Sequence, residues 1–306
     1  MKVAVVGSNS LLASYLVDTL LEDNVHHLHL FGKMPGVDNA NTTFTYFAYP
    51  ESVVDFSTLL LCDAIIYCAA TGVQANKVTD TSLVYEVNAL LPIKIINYLS
   101  DHCFSGIWVS FGSYFEIGNN DANHYFTEAE VTLSELAIPN HYCSSKRLLT
   151  RFLSSGLTTI KVFHFILPTI YGARENSSRL IPYIVESLKN EQPMQLSAGT
   201  QVRQYLHCLD VAALVRLVIQ SDCLPGIYNV ASEEAIQIRD LVKRIFSSFN
   251  KDAETSLGSL STRDESMRFL AIDTQKLAEY IPEWKASVDL QQGINEYLQQ
   301  SVLSKE

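Results

Sequence analysis

Three residues in this chain have the types and spacing needed to move a proton: Ser113, Tyr142 and Lys146. Tyr142 and Lys146 stand four apart in His141-Tyr142-Cys143-Ser144-Ser145-Lys146, which runs into an amphipathic helical pattern at residues 147–153. At that spacing two side chains share one helix face, so an ammonium lies beside a phenol. A free phenol titrates near 10, too high to exchange protons freely at neutral pH. A cation within a few ångströms favours the phenolate and brings that value down. A nearby serine hydroxyl hydrogen-bonds the oxygen that gains or loses the proton. The set suits proton transfer at a carbinol or carbonyl while something else moves the hydride. Tyr-x-x-x-Lys also arises from packing alone, so the pair gains meaning only from the elements that position it.

Those elements begin at the N-terminus. Residues 2–6 form a short β-branched apolar run that reads as a buried parallel strand. It ends at Gly7, and an apolar helical pattern follows at Leu11, Leu12, Tyr15, Leu16, Leu20 and Leu21. Strand, tight glycine turn and helix N-terminus together receive a dinucleotide pyrophosphate, which makes Gly7, Ser10 and Leu11 candidate cofactor contacts. The expected G-x-x-G-x-x-G spacing reads Gly7-Ser8-Asn9-Ser10-Leu11-Leu12-Ala13. Ser10 brings a side chain where backbone should approach the phosphates; Ala13 is an accepted substitute. A second strand ends in His29-Leu30-Phe31-Gly32-Lys33, with no acid to accept from an adenosine ribose 2′-OH. Lys33 there suits a 2′-phosphate, which favours NADP(H) over NAD(H), or else it is a solvated turn lysine.

Composition narrows the class. A chain of 306 residues buries a large core, as one α/β unit with a smaller lobe or as two modest domains. A net charge of -11 argues against a general nucleic-acid binder, whose basic surface must replace counterions. The six cysteines form no C-x-x-C pair, and His26, His27 and His29 have no carboxylate or cysteine at ligand spacing, so no metal is expected. With no leader-like segment at Met1 and no apolar run long enough to span a bilayer, the chain reads as cytoplasmic and free of membrane.

Strand-like runs at 2–6, 25–31, 43–47, 64–68, 106–110 and 159–165 alternate with helical patterns near 10–22, 52–61, 82–100 and 140–154. That alternation predicts an α/β fold: a Rossmann-type doubly wound parallel sheet with a smaller C-terminal α/β substrate-binding lobe. Residues 1–166, with about 205–225 returning, make the dinucleotide domain; residues 167–204 and 226–306 make the lobe. Gly7, Ala69-Ala70, Ser110 to Ser113 and residues 167–172 follow strand ends and converge on one rim. His164 and His207 read as structural, with His164 close enough to the rim to line a pocket.

Taken in order, these pieces resemble the extended short-chain dehydrogenase/reductases, the NAD-dependent epimerase/dehydratase family. Val5-Val6-Gly7 opens the resemblance. Residues 63–70 are similar to the family's fourth strand, whose small residues, here Ala69 and Ala70, contact the cofactor. Asn88 matches the helix asparagine. Residues 109–113 match the serine-rich strand end, and Ser113 falls on the catalytic serine or threonine. Pro168-Thr169-Ile170-Tyr171-Gly172 resembles the turn before Tyr-Gly, and Arg203 and Arg263 resemble two arginines that hold a sugar-nucleotide diphosphate. Within the family the chain most resembles the CDP-abequose and CDP-paratose synthase type of nucleotide-sugar 4-keto reductase.

The resemblance implies a site. Ser113, Tyr142 and Lys146 are the catalytic set. Gly7, Ser10, Leu11, Lys33, Ala69, Ala70, Asn88, Tyr142 and Lys146 contact the cofactor; Ser113, Tyr114, Thr169, Arg203 and Arg263 contact the substrate. The family's dehydratases place an aspartate and a glutamate just after the catalytic threonine, where this chain has Tyr114 and Phe115. Glu116 comes one step late, on the other face of an extended segment. The epimerase-reductases that make GDP-fucose use a cysteine at the position of Phe115. What remains is reduction of a C4 ketone on a nucleotide-diphosphate sugar, or C4 epimerisation with tightly bound NAD. A rival from another class is a non-catalytic nucleotide-binding relative, which the replacement at Ser10 favours and the complete catalytic set opposes. Dimerisation through helices 82–100 and 140–154 is expected from the family.

Overall fold

The fold comes from a computed structural model that describes residues 1–22, 24–36, 39–72, 79–260 and 267–303. Seven parallel strands make its main sheet, in the order β3-β2-β1-β4-β5-β6-β9. They are β1 (Lys2–Val6), β2 (His27–Gly32), β3 (Thr42–Tyr46), β4 (Ala64–Tyr67), β5 (Ile107–Ser113), β6 (Lys161–Leu167) and β9 (Gly226–Asn229). A smaller sheet contains β7 (Thr169–Tyr171), β8 (Val202–His207), β10 (Ala235–Gln237) and β11 (Phe269–Leu270). The helices are α1 (Leu11–Glu22), α2 (Phe56–Leu59), α3 (Thr81–Tyr85), α4 (Leu91–Asp101), α5 (Glu128–Leu133) and α6 (His141–Ser154). The C-terminal half adds α7 (Leu180–Lys189), α8 (Cys208–Gln220), α9 (Ile238–Ser247), α10 (Gln275–Tyr280) and α11 (Leu290–Leu303).

The strand order reverses between β1 and β4, which is the switch point where such sheets bind ligands. The alternation of β1 explains the layers. Val3 and Val5 enter a core with Leu16 and Leu20 of α1 and Val211 and Val215 of α8. Ala4 and Val6 face the other way, into a core with Ile95 and Leu99 of α4 and Leu149 and Leu153 of α6. Both faces of the strand are covered, so it reads as an unbroken apolar run rather than an alternating one.

The predicted parallel sheet is present, with three differences from the sequence reading. Residues 226–229, expected in the smaller lobe, form the seventh strand of the main sheet beside β6. Strand β8, whose residues 205–207 were expected to return to the dinucleotide domain, pairs in the small sheet, though Leu206 packs into the main core with α8. The single helix expected at 82–100 is α3 and α4 joined by a π-helical segment, Glu86–Leu90, with Asn88 at its centre. Such π segments are frequent at functional sites.

Candidate active site

The Gly7 turn is shaped by close contact. Gly7 has φ +88°, and a Cβ there would lie 2.4 Å from the Ala69 backbone nitrogen. Only glycine lets the β1 turn and the end of β4 approach this closely. Ser10 does not intrude on the turn as expected: its Oγ accepts from the Ala13 N–H at 3.2 Å and caps α1. The remaining first-turn N–H groups, beginning at Leu11, are those a helix leaves unpaired and are the donors that receive a phosphate. Asn9, overlooked in the sequence, locks the far side of this cradle. Its Oδ1 accepts from the Lys33 and Met34 N–H groups at 2.6 and 3.0 Å. Lys33 itself is exposed beside β2. Ala69 is buried and Ala70 exposed at the end of β4. A glycine cradle, a helix N-terminus and a small-residue strand end fit a dinucleotide.

Asn88 acts one step behind that surface. Its Oδ1 accepts from the Thr71 N–H at 2.9 Å, and its Nδ2 donates to the Thr71 carbonyl at 2.9 Å and to Ser145 Oγ at 3.0 Å. Ser145 in turn donates to the Tyr142 carbonyl at 2.8 Å. The amide therefore ties the segment after β4 to the helix carrying Tyr142.

Strand β5 extends to Ser113, three residues beyond its expected end, because β6 continues beside it as far as Leu167. The chain then turns into a 3₁₀ helix, Tyr114–Ile117, whose N-cap is Ser113. Glu116 consequently does not project from an extended segment. Its carboxylate folds back, and Oε1 accepts from the Ser113 N–H at 2.6 Å. Arg147 holds the same turn by donating to the Glu116 carbonyl at 2.8 Å and the Ile117 carbonyl at 3.0 Å.

Helix α6 starts at Asn140, whose side chain accepts from the Cys143 N–H at 3.0 Å. It brings Tyr142 and Lys146 to the end of β5. Lys146 is buried, donates to the Phe111 carbonyl at 2.9 Å, and lies 5.9 Å from the centre of the Tyr142 ring. Burial lowers the Lys146 ammonium to about 8, against the opposing pull of Glu116 and Cys68. The Tyr142 pKa is not lowered as expected, and Lys146 is not among the groups that pull it down. Burial pushes the phenol above the ordinary tyrosine value, with Cys143 and Glu116 acting in the same sense. Arg179 and hydrogen bonding with Ser113 pull it back.

Arg179 is the main site residue that sequence reasoning missed. It precedes α7, and its Nε pairs with Glu175 Oε1 at 2.5 Å while Nη2 donates to the Ile170 carbonyl at 3.0 Å. Tyr297 of α11 donates to Glu175 at 2.6 Å and accepts from the Gly172 N–H at 3.0 Å, which fixes the pair. Only the i, i+4 spacing of Glu175 and Arg179 signalled it.

The expected substrate contacts fare unevenly. Tyr114 is fully buried in a core with Phe126 and Met267, and its hydroxyl meets Thr169 Oγ1 at 2.7 Å. It therefore presents no surface to a substrate, and Thr169 is half-buried beneath it. Arg203 is 4% exposed on β8, electrostatically coupled to Tyr114 and Tyr205. Arg263 lies outside the described residues. His164 lines no pocket: it is fully buried, with Nδ1 2.8 Å from Ser110 Oγ and Nε2 2.9 Å from Thr150 Oγ1.

Residues 3–231 match the NAD dependent epimerase/dehydratase family. The chain belongs to that family. It is an enzyme of the oxidoreductase type. CDP-abequose synthase of Salmonella muenchen is 19% identical over 299 residues, covering 97% of each chain. Among solved structures, dTDP-glucose 4,6-dehydratase of Bacillus anthracis in complex with NAD is 18% identical with a TM-score of 0.79, covering 100% of this chain and 97% of the other. UDP-glucose 4-epimerase of Thermotoga maritima with UDP-glucose is 17% identical with a TM-score of 0.80, covering 100% of both chains. Among the described residues no group of His, Cys, Asp and Glu side chains is placed to hold a metal ion, and no helix is long and apolar enough to cross a membrane.

Proposed function

We propose that this chain uses NAD(P)H, with NADPH preferred, to reduce the C4 ketone of a nucleotide-linked 4-keto-6-deoxy sugar. The observation that carries this reading is the placement of Tyr142 beside Ser113 and the buried Lys146, whose Nζ lies 5.9 Å from the phenol ring centre. The phenol is protonated at neutral pH and placed to donate to a carbonyl oxygen gaining charge. A dehydratase needs carboxylates next to Ser113 to move a proton and expel water. Tyr114, sealed in the core, and Phe115 supply neither.

The nicotinamide cofactor supplies the hydride when bound. Ser113 and Tyr142 hold the C4 oxygen, and Tyr142 passes it a proton. Lys146 donates to the nicotinamide ribose and, as a cation, stabilises the phenolate left behind. Gly7, Ser10, Leu11, Ala69 and Ala70 shape the pyrophosphate cradle, and Asn88 holds its neighbouring segment in place. Lys33 meets a ribose 2′-phosphate, the basis for preferring NADPH. Arg203 and Arg179, with Arg263 on the strength of the family resemblance alone, are the cations for a diphosphate, binding energy remote from the reacting carbon. Full-length similarity to a CDP-abequose synthase supports this class of substrate.

The test is NADPH oxidation, followed by absorbance, with CDP-, dTDP-, UDP- and GDP-linked 4-keto-6-deoxy sugars. Consumption with one of them supports the reductase and identifies the base. The second reading, C4 epimerisation with retained NAD, is favoured by the fold it shares with a UDP-glucose 4-epimerase. It requires interconversion of sugar epimers with no net change in NADPH.

A further inference from the structure

We propose that Glu116 is a positioning residue of the active site: its buried carboxylate is the counter-charge that keeps Lys146 an ammonium, while its backbone clamp fixes Ser113. The assignment rests on the proposed role of Lys146 in holding the cofactor. Glu116 has no exposed surface, and an isolated charge there is unfavourable unless another charge or hydrogen bonds compensate it. One oxygen is held by the Ser113 N–H at 2.6 Å. Among the described residues the other has no hydrogen-bond partner, so nearby charge bears on its compensation.

The groups facing it come from three elements. Helix α6 presents Tyr142, Cys143, Lys146, Arg147 and Thr150. Strand β5 presents the Ser113 N–H. Strand β6 presents His164, whose Nε2 and Glu116 Oε1 each lie 2.8 Å from where a Cβ on Gly112 would fall. That residue must be glycine for the carboxylate and imidazole to share the space. The imidazole is neutral, bonded to Ser110 and Thr150, so it adds no charge. Lys146 and Arg147 are then the cations near the carboxylate, and Arg147 is engaged by backbone carbonyls. Cys68 also acts electrostatically on Lys146, but burial keeps that thiol protonated. Glu116 is therefore the anion available to Lys146 within this pocket. Burial raises Glu116 to about 7 and lowers Lys146 to about 8, while each opposes the other's displacement.

A single carboxylate thus couples the Ser113 turn to the charge on Lys146. The test is NADPH affinity, read by fluorescence from pH 6 to 9.5, in wild type, Glu116→Gln and Glu116→Asp. Gln retains an oxygen for the Ser113 N–H and removes the charge; Asp restores the charge. The expected result is an alkaline loss of affinity that moves toward acid by about one pH unit or more in Glu116→Gln and returns in Glu116→Asp. Loss at the same pH in wild type and Glu116→Gln, or no alkaline loss in either, overturns the assignment. If Glu116→Gln does not fold, Lys146→Met serves instead. There the unpaired carboxyl takes up a proton at pH 7, visible as a protonated carboxyl band in infrared difference spectra; a carboxylate that stays ionised overturns the assignment. These readings need no sugar. A moved limb with no turnover on the sugar panel refutes the substrate and leaves Glu116 in place.

Discussion

His164 makes acid the sharpest probe of the packing behind the site. The imidazole, on β6, is fully buried between Ser110 of β5 and Thr150 of α6, and burial, aided by the charge on Lys146, lowers it from 6.5 to about 3. Between those values the unfolded chain binds a proton that the folded chain refuses. Its contribution is complete above pH 6.5 and is lost as pH falls toward 3. Linkage arithmetic on these two values gives a loss of about 2 kcal/mol at pH 5 and about 3 kcal/mol at pH 4. Glu116 acts in the opposite sense. Its folded value of about 7 lies above the ordinary 4.5, so its contribution is present below pH 4.5 and lost as pH rises through 7. The two slopes offset one another between pH 4.5 and 6.5, and the stability of the wild type alone hides both. The perturbation is therefore His164→Gln, whose amide can still meet the hydroxyls of Ser110 and Thr150 but does not titrate. Urea unfolding at pH 7.5 and pH 5 gives the stability gap between the two proteins. That gap should shift by about 2 kcal/mol in favour of the variant on going to pH 5. A gap that stays constant refutes the reasoning.

Other perturbations probe the remaining parts. Gly7→Ala forces a Cβ to within 2.4 Å of the Ala69 nitrogen at φ +88°, so stability should fall by about 3 kcal/mol and cofactor affinity with it, measured by urea unfolding and NADPH titration. Asn88→Ala removes three hydrogen bonds of 2.9–3.0 Å from a buried position; about 2–4 kcal/mol should be lost, seen in the same unfolding assay. Lys33→Ala should weaken NADPH by about tenfold while leaving NADH within about twofold, compared by equilibrium binding.

Legibility in the sequence followed from how locally each feature is determined. Strands β1, β4 and β6 are buried on both faces, so their apolar runs stand out within a few residues. The proximity of Ser113, Tyr142 and Lys146 was legible because helical geometry restricts the spacing of two of them and the third ends a neighbouring strand. The small sheet was harder. Strand β8 carries Arg203 and Gln204 buried side by side, and its polarity masks a strand that gains its partners only from distant β7, β10 and β11. Helix α5 is a short helix with capping by Thr127 and Glu130 that no apolar period announces. Glu116 was judged on an assumed extended backbone, and the 3₁₀ turn reversed its direction. Arg179 owes its place to Glu175, Tyr297 and Gly172, the last two separated by more than a hundred residues. Beyond the i, i+4 spacing of Glu175 and Arg179, such a relay leaves no local mark.

The central claim is that Tyr142 donates the proton. Its most direct test is turnover and NADPH affinity of Tyr142→Phe on whichever sugar the panel identifies. Turnover should fall by about 10²- to 10⁴-fold with NADPH affinity within a few-fold of wild type. Turnover that survives the loss of that hydroxyl contradicts the account.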